Sequence, residues 1–261
     1  MSKHASRNRT SKKHKPEKGG VYLWPNLVTT LALMCGFYSI LASINGEFQR
    51  ACICIFVAML FDGLDGRIAR LVGGESAFGE QYDSLSDLIS FGVAPALLIY
   101  EWSISTAEHI KWLPERFSWM IPFIYCACAA LRLARFNTQI GVVDSRYFIG
   151  LPSPSAAGMV AGLVWCLGVE FEYSGADLVY LAIVVTLYAG LMMVAPVKYF
   201  SFKKLNLRGK TSFFTMIFMV LALAIIATNP ATMLWLIFSA YALHGPVVRG
   251  VKWLKRYRAA H

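Results

Sequence analysis

Long apolar stretches separated by short polar segments make up most of this chain of 261 residues. Three of them carry no Asp, Glu, Lys or Arg and approach or exceed the roughly 18–20 residues that cross a membrane as a helix. They are residues 27–44, 147–169 and 178–197. A fourth uncharged stretch, residues 211–248, is too long for one crossing, and Asn229-Pro230 divides it into two helices.

Three shorter apolar stretches complete the pattern. They end at Phe61, begin at Leu88 and cover residues 117–131. Each becomes a full crossing only where its polar end faces protein or water. Together these stretches predict an all-α fold, a polytopic membrane helix bundle of about eight transmembrane helices. Gly158 and Gly162 form a small-xxx-small pair, which predicts close helix packing within the chain rather than between copies.

The polar segments define the domain organisation. Inner connections are predicted over residues 71–82, 137–146 and 198–210. No connection is long enough for a folded domain, so the function must reside in the bundle or at its surface. We expect a disordered basic tail over residues 1–20, one membrane catalytic domain over 21–248 and a second basic tail over 249–261.

The net charge of +10 is distributed unevenly. Along an eight-helix path, 22 of the 25 lysines and arginines fall on the side of the two termini. The positive-inside rule therefore places both termini and the acidic segment described below in the cytoplasm, for a protein of the inner (cytoplasmic) membrane. Topology explains these charges better than nucleic-acid binding, and the basic rim would also face anionic membrane lipids.

Four aspartates stand where membrane helices should be apolar. Asp62 and Asp65 follow one apolar stretch, and Asp83 and Asp87 precede the next. An acidic group beside hydrocarbon costs free energy, so such residues usually have a function. The i, i+3 and i, i+4 spacings place each pair on one helix face, so the two pairs can converge in a helix–turn–helix.

Converging carboxylates repel one another unless a cation lies between them. Oxygen ligands favour Mg²⁺ or Mn²⁺, with Ca²⁺ also possible, and one or two ions would fit. Gly66 allows a ligand to approach the backbone, and Arg70 lies one turn further on, where it can hold a phosphate or pair with a carboxylate. A metal and an arginine beside a lipid phase suit a lipid phosphate or pyrophosphate.

The complete pattern is D-x-x-D-G-x-x-A-R-x8-G-x3-D-x3-D, and it resembles the signature of the CDP-alcohol phosphatidyltransferase family. Its eight positions are Asp62, Asp65, Gly66, Ala69, Arg70, Gly79, Asp83 and Asp87. The resemblance implies the fold of that family and an enzyme that moves the phosphatidyl group of CDP-diacylglycerol to an alcohol.

The resemblance also implies roles for individual residues. Asp62, Asp65 and Asp83 would bind metal, with Asp83 able to bridge two ions, and Asp87 would ligate metal or act as the general base. The CDP-lipid would contact five residues outside the aspartates. These are Asn26, Gly66, Arg70, Ser76 and Gly79. We further expect a homodimer.

Two segments on the same side as the aspartates are candidates for the acceptor site. Arg132, Arg135 and Asn137 can hold a carboxylate, and Ser153 and Ser155 offer hydroxyls in a proline-stiffened turn. Arginines that mark topology and an ordinary helix start explain the same residues without a ligand. We take Arg135, Asn137, Ser153 and Ser155 as the candidate acceptor residues.

The amino-acid sequence of these segments is similar to that of the integral-membrane phosphatidylserine synthases of bacteria. This resemblance implies L-serine as acceptor and phosphatidylserine and CMP as products. The same chemistry with glycerol 3-phosphate or an inositol compound remains an alternative. From another class, a cation transporter would use the acidic cluster as its ion path.

Overall fold

The structure is a computed structural model, and it describes residues 23–73, 76–106, 115–139, 147–200 and 213–260. The basic tail predicted over residues 1–20 lies outside the described residues. So do residues 140–146 and 201–212, which belong to two of the predicted inner connections.

Helices account for nearly all of the described chain. They are α1 (Leu23–Ile44), α2 (Phe48–Val72), α3 (Ala77–Asp87), α4 (Ala94–Trp102), α5 (Met120–Gln139), α6 (Ser153–Leu163), α7 (Val179–Val194), α8 (Phe213–Thr228) and α9 (Pro230–Ala260). A π-helical segment, Leu88–Val93, joins α3 to α4, and a second, Val164–Glu170, extends α6. Short 3₁₀ turns at Ile104–Thr106 and Glu115–Phe117 lie between α4 and α5.

Three of the described helical segments are long and apolar enough to cross a membrane. They are Trp24–Ile44, Ala77–Trp102 and Pro230–Val251. Helix α7 is equally apolar but shorter. The predicted helical membrane fold is therefore confirmed, while the number of crossings remains a prediction.

Several predicted helix boundaries coincide with the observed ones. Pro25 lies in the first turn of α1, where its missing N–H leaves no helical bond unmade. Helices α8 and α9 divide at Asn229, whose side-chain oxygen accepts a hydrogen bond from the backbone N–H of Thr232 at 2.9 Å. This contact caps the start of α9.

Two predicted boundaries were wrong. The apolar stretch 147–169 is not one helix, because Tyr147–Ile149 forms a strand, β1, that pairs antiparallel with β2 (Lys198–Phe200). Gly150 has φ +89°, and a side chain there would collide with the carbonyl of Met193, so the helix begins only at Ser153. The connection predicted over 71–82 is also shorter, since α2 ends at Val72 and α3 begins at Ala77.

Close helix contacts hold the bundle together. Helix α1 packs along α2, α5 along α7, and α6 along α9. A Cβ on Gly158 would lie 2.6 Å from the ring of Phe238, and one on Gly162 would lie 2.9 Å from the Cα of Trp235. The small-xxx-small pair therefore serves packing inside the chain, as predicted.

Tyrosine hydroxyls satisfy backbone carbonyls that prolines leave free. Pro95 has no N–H to offer the carbonyl of Phe91 four residues earlier, and Tyr125 donates to that carbonyl at 3.0 Å. Pro246 likewise frees the carbonyl of Ala242, which accepts hydrogen bonds from Tyr188 (2.9 Å) and Tyr199 (3.0 Å). Since lipid offers no partners, these bonds allow both prolines to remain within membrane helices.

The contact between α6 and α9 makes a testable prediction. Gly162→Ala should destabilise the protein by about 1–3 kcal/mol, because its methyl group meets the backbone of α9. Gly250→Ala is the matched control on α9, where a Cβ meets no atom within 4 Å. It should leave stability unchanged or raise it by up to about 1 kcal/mol. Thermal unfolding in detergent measures both, and equal stability of the two variants would contradict this packing.

Candidate active site

A tight helical hairpin carries the four aspartates. Helix α2 ends at Gly73, which adopts a left-handed conformation (φ 64°) and donates its N–H to the carbonyl of Ala69. Helix α3 is capped by Ser76, whose side-chain oxygen accepts the N–H of Gly79 at 3.0 Å. These two caps end α2 and begin α3 within a few residues, and both helices pack against α1.

The hairpin brings three aspartates together. Carboxylate oxygens of Asp62, Asp83 and Asp87 all lie within 4.8 Å of one another. Asp62 comes from α2 and the other two from α3, as the i, i+4 spacing of Asp83 and Asp87 requires. Three converging carboxylates at this separation can ligate one hard cation.

Asp65 lies beside this cluster in a different environment. Its side chain is buried, and its Oδ2 accepts a hydrogen bond from the hydroxyl of Thr29 at 2.9 Å. Ser86 donates to the backbone carbonyl of the same threonine at 3.3 Å, so α1 contacts both arms of the hairpin. Asp65 also interacts with Asp83, which links it to the cluster.

A cavity of about 170 Å³ opens between α1, α2 and α3. Asp65 and Asp83 form part of its wall. Every residue predicted to contact the CDP-lipid also lines it: Asn26, Gly66, Arg70, Ser76 and Gly79.

The two glycines make room in different ways. A Cβ on Gly66 would meet no protein atom within 4 Å, so that position faces open space along the cavity. A Cβ on Gly79 would lie 3.2 Å from the hydroxyl of Ser76 and 3.4 Å from the Oδ1 of Asn26. Gly66 therefore leaves space for a ligand, whereas Gly79 allows α1 and the α3 cap to approach each other.

On the other side of the aspartates, Arg132 of α5 connects the cluster to α6. Its guanidinium donates to the hydroxyl of Ser153 at 2.5 Å and interacts electrostatically with Asp87 and Asp62. Ser153 is fully buried at the first turn of α6. Ser153, one of the predicted acceptor residues, is therefore connected to the aspartate cluster through Arg132.

The other three predicted acceptor residues lie in three different environments. The amide of Asn137 donates to the hydroxyl of Ser84 at 3.0 Å, adjacent in sequence to Asp83. Arg135 instead donates to the carbonyl of Val194 at the end of α7. Ser155 is half-buried in the first turn of α6.

Sequence reasoning named Arg132 only as a possible carboxylate contact and left it out of the acceptor set, and it did not name Thr29. Arg132 lies one helical turn deeper than Arg135, and an arginine at that depth needs a partner, which was an available signal. Thr29 follows Asn26 by three residues and therefore shares its helix face. Neither pattern identifies Ser153 as the partner of Arg132 or Asp65 as the partner of Thr29, because these contacts join helices that are distant in sequence.

Comparison with known proteins agrees with this arrangement. The sequence model of the CDP-alcohol phosphatidyltransferase family matches residues 22–194, which include α1–α7 and all four aspartates. The chain belongs to this family. Its membrane-crossing helices and its membership in the family make it an integral membrane protein.

Relatives within the family share most of the chain. A CDP-diacylglycerol–serine O-phosphatidyltransferase of Helicobacter pylori is 32% identical over 238 residues, covering 90% of this chain and 92% of the relative. An archaetidylserine synthase of Methanothermobacter thermautotrophicus is 40% identical over 154 residues, covering 58% and 61%. The CDP-diacylglycerol–serine O-phosphatidyltransferase of Saccharomyces cerevisiae is 37% identical over 154 residues, covering 54% and 52%.

The family is divalent-metal-dependent, and the donor set of this chain fits such an ion. Asp62, Asp83 and Asp87 offer carboxylate oxygens only, which is the ligand chemistry of Mg²⁺, Mn²⁺ and Ca²⁺ rather than of zinc. Their mutual repulsion also favours a bound cation over an empty cluster.

The metal site can be tested by binding alone. Asp83→Asn should weaken Mn²⁺ binding at least about tenfold, because it removes one of three charged ligands. Asp177→Asn, at an exposed position outside the cluster, is the control and should bind as the unmodified protein does. Electron paramagnetic resonance of free Mn²⁺ during titration gives both affinities. Unchanged binding by Asp83→Asn would exclude the cluster as the metal site.

Proposed function

We propose that this protein transfers the phosphatidyl group of CDP-diacylglycerol to the hydroxyl of L-serine, which yields phosphatidylserine and CMP. One observation carries the proposal: the aspartate cluster separates a cavity lined by all five predicted CDP-lipid residues from the Arg132–Ser153 contact. A donor and an acceptor can therefore approach the same carboxylates from opposite sides.

The donor half suits a nucleotide diphosphate. Arg70 at the cavity wall can pair with pyrophosphate oxygens, and the open space at Gly66 admits the nucleotide close to the backbone of α2. A divalent ion bound by the aspartates, Mg²⁺ or Mn²⁺, would neutralise charge on the pyrophosphate and on the departing CMP. We expect one or two ions, held by Asp62, Asp65, Asp83 and Asp87.

In the reaction, the serine oxygen attacks the phosphorus that carries the diacylglycerol. The bond from this phosphorus to the oxygen of the CMP phosphate breaks, and CMP leaves with the bonding electrons. The proton of the serine hydroxyl passes to a carboxylate, and Asp87 is the candidate because it lies on the side of Arg132. General-base catalysis of this kind contributes about 10²–10⁴-fold.

The acceptor half favours an amino acid over a phosphorylated alcohol. A second phosphate would call for a dedicated cationic pocket, whereas serine brings one carboxylate and one ammonium. Among the described residues, Arg132 already interacts with two carboxylates, and Arg135 is bonded to a backbone carbonyl. The names of the similar proteins from Helicobacter pylori and yeast specify serine as well. We propose Arg135, Asn137, Ser153 and Ser155 as the acceptor set, with Arg132 holding Ser153 in place.

The placement in the membrane completes the proposal. The apolar stretches support eight crossings, and the excess of lysine and arginine on one side of that path supports a site and two termini in the cytoplasm, in a protein of the inner membrane. There, a water-soluble nucleotide product leaves from the surface at which the lipid substrate arrives. A homodimer is the proposed assembly.

Purified protein with CDP-diacylglycerol and labelled L-serine tests the function. CMP and labelled phosphatidylserine should appear in equal amounts, and only with Mg²⁺ or Mn²⁺ present. Treatment with a chelator is the control and should stop both. Glycerol 3-phosphate and an inositol phosphate, offered separately, should release little CMP. If either releases CMP faster than serine, the acceptor assignment is wrong while the donor chemistry stands.

A second experiment tests the donor half. Gly66→Ala should weaken CDP binding about 5- to 100-fold, the equivalent of roughly 1–3 kcal/mol for a methyl group forced against a ligand. The fold should be unaffected, because that methyl group meets no protein atom.

Gly63→Ala is the matched control for this substitution. It adds the same group one turn earlier on α2, also in open space but outside the cavity wall. Calorimetric titration with CDP compares the two variants. Equal binding would show that the nucleotide does not pass close to Gly66.

A further inference from the structure

Helix α9 is longer than a membrane crossing requires. It runs for 31 residues, of which the 22 in Pro230–Val251 have the length and hydropathy of a crossing. At 1.5 Å per residue these 22 span about 33 Å, close to the roughly 30 Å of a hydrocarbon core. Residues 252–260, named the α9 extension here, continue for about another 13 Å and so pass through the layer of lipid headgroups.

The α9 extension has two chemically different sides. Four of its nine residues are basic, and the chain contains no Asp or Glu after Asp177. The helical register places positions 252, 255 and 256 on one side and positions 253, 254 and 257 on the other, with position 258 between them. The side chains of Lys255 and Arg258 are exposed, and those of Leu254 and Tyr257 are about half exposed. A basic side opposite an aromatic and aliphatic side is typical of helices at a membrane interface.

The α9 extension emerges at the end of the bundle that holds the aspartates. Arg249, three residues before it, donates to the carbonyl of Pro196 at 3.2 Å. Two residues earlier in the chain, the carbonyl of Val194 accepts from Arg135 of α5. The same end of α5 reaches α3 through Asn137 and Ser84. A chain of contacts therefore connects the base of the α9 extension to the helix that carries Asp83 and Asp87.

We propose that the α9 extension binds the phosphates of anionic lipid headgroups and thereby concentrates the lipid substrate beside the active site. The charge complementarity is direct, since four cations lie at headgroup depth with no acid nearby in the sequence. The substrate proposed above carries a pyrophosphate, so it is among the most strongly attracted lipids. The role in substrate capture rests on the proposed function, whereas the binding of anionic headgroups does not.

Replacement of Lys252, Lys255, Arg256 and Arg258 by Gln in the full-length protein tests the capture role. In neutral nanodiscs at low salt, the apparent KM for CDP-diacylglycerol, as a mole fraction, should rise at least about tenfold. The kcat and the KM for serine should be unchanged, because the α9 extension touches neither reacting group. At about 1 M salt the difference should disappear, since screening then acts within about 3 Å.

The matched control keeps the charge and changes the side chains, with Lys252→Arg, Lys255→Arg, Arg256→Lys and Arg258→Lys combined. Its KM for the lipid should stay within about twofold of the unmodified value. An equal rise in both variants would mean that shape rather than charge matters, which overturns the proposal. An unchanged KM in the glutamine variant overturns it too.

A substrate-free measurement separates this proposal from the proposed function. Hydrogen–deuterium exchange of residues 252–260 should slow in nanodiscs that contain phosphatidylglycerol, relative to phosphatidylcholine alone, and should not respond to inorganic phosphate. CDP-diacylglycerol added to phosphatidylcholine should slow exchange at least as much as phosphatidylglycerol does. Protection without any CMP-forming activity would leave the binding surface standing and the proposed function refuted. Equal exchange in all nanodiscs would refute the surface.

Discussion

Carboxylates at the edge of a membrane bundle must be compensated, and this requirement governs the arrangement of the structure. The four aspartates of the motif are compensated in three ways. Asp65 is buried against the hydroxyl of Thr29, Asp87 lies within the field of Arg132, and Asp62, Asp83 and Asp87 converge in the manner of cation ligands. Helix α1 supplies the first contact, α5 the second and the α2–α3 hairpin the third. The helices around the site are therefore those that provide these contacts to the aspartates.

The same requirement applies to the backbone, and tyrosines meet it. Pro95 and Pro246 each remove an N–H from a helix in an environment without water. Pro95 leaves the carbonyl of Phe91 without its helical partner, and Tyr125 donates to that carbonyl. Phe91 lies in the π-helical segment that follows Asp87. Tyr188 and Tyr199 satisfy the carbonyl freed by Pro246 and so attach α7 and β2 to α9. These bonds fix helices around the acceptor side of the site, although none of the three tyrosines belongs to the motif.

The structure brings together the residues predicted for the donor, whereas it spreads those predicted for the acceptor over separate contacts. The five CDP-lipid residues and the aspartates lie within one motif or one turn of α1, and local helical spacing is enough to place them on common faces. The acceptor half depends on contacts between α5, α6 and α7. Spacing within one helix cannot predict contacts between helices that are distant in sequence. Local spacing therefore could not show that Arg132, one turn deeper than Arg135, contacts Ser153 and the aspartates. Hydropathy located the helices well, but it could not register the strand β1, because an apolar Tyr-Phe-Ile fits a strand or a buried helix equally.

This division suggests how acceptor choice can change without loss of the transfer chemistry. The residues proposed to meet the nucleotide and the metal come from α1–α3, whereas those proposed for the acceptor come from α5 and α6. Arg132 connects the two sets, because it interacts with Asp62 and Asp87 and donates to Ser153. A substitution at Asn137 or in the turn before α6 alters the space around the incoming hydroxyl while leaving the pyrophosphate contacts in place. Arg132 is different, because its loss would expose Asp87 to unscreened repulsion from Asp62 and Asp83. Acceptor specificity is therefore more open to change at Asn137 than at Arg132, even though both lie on the same helix.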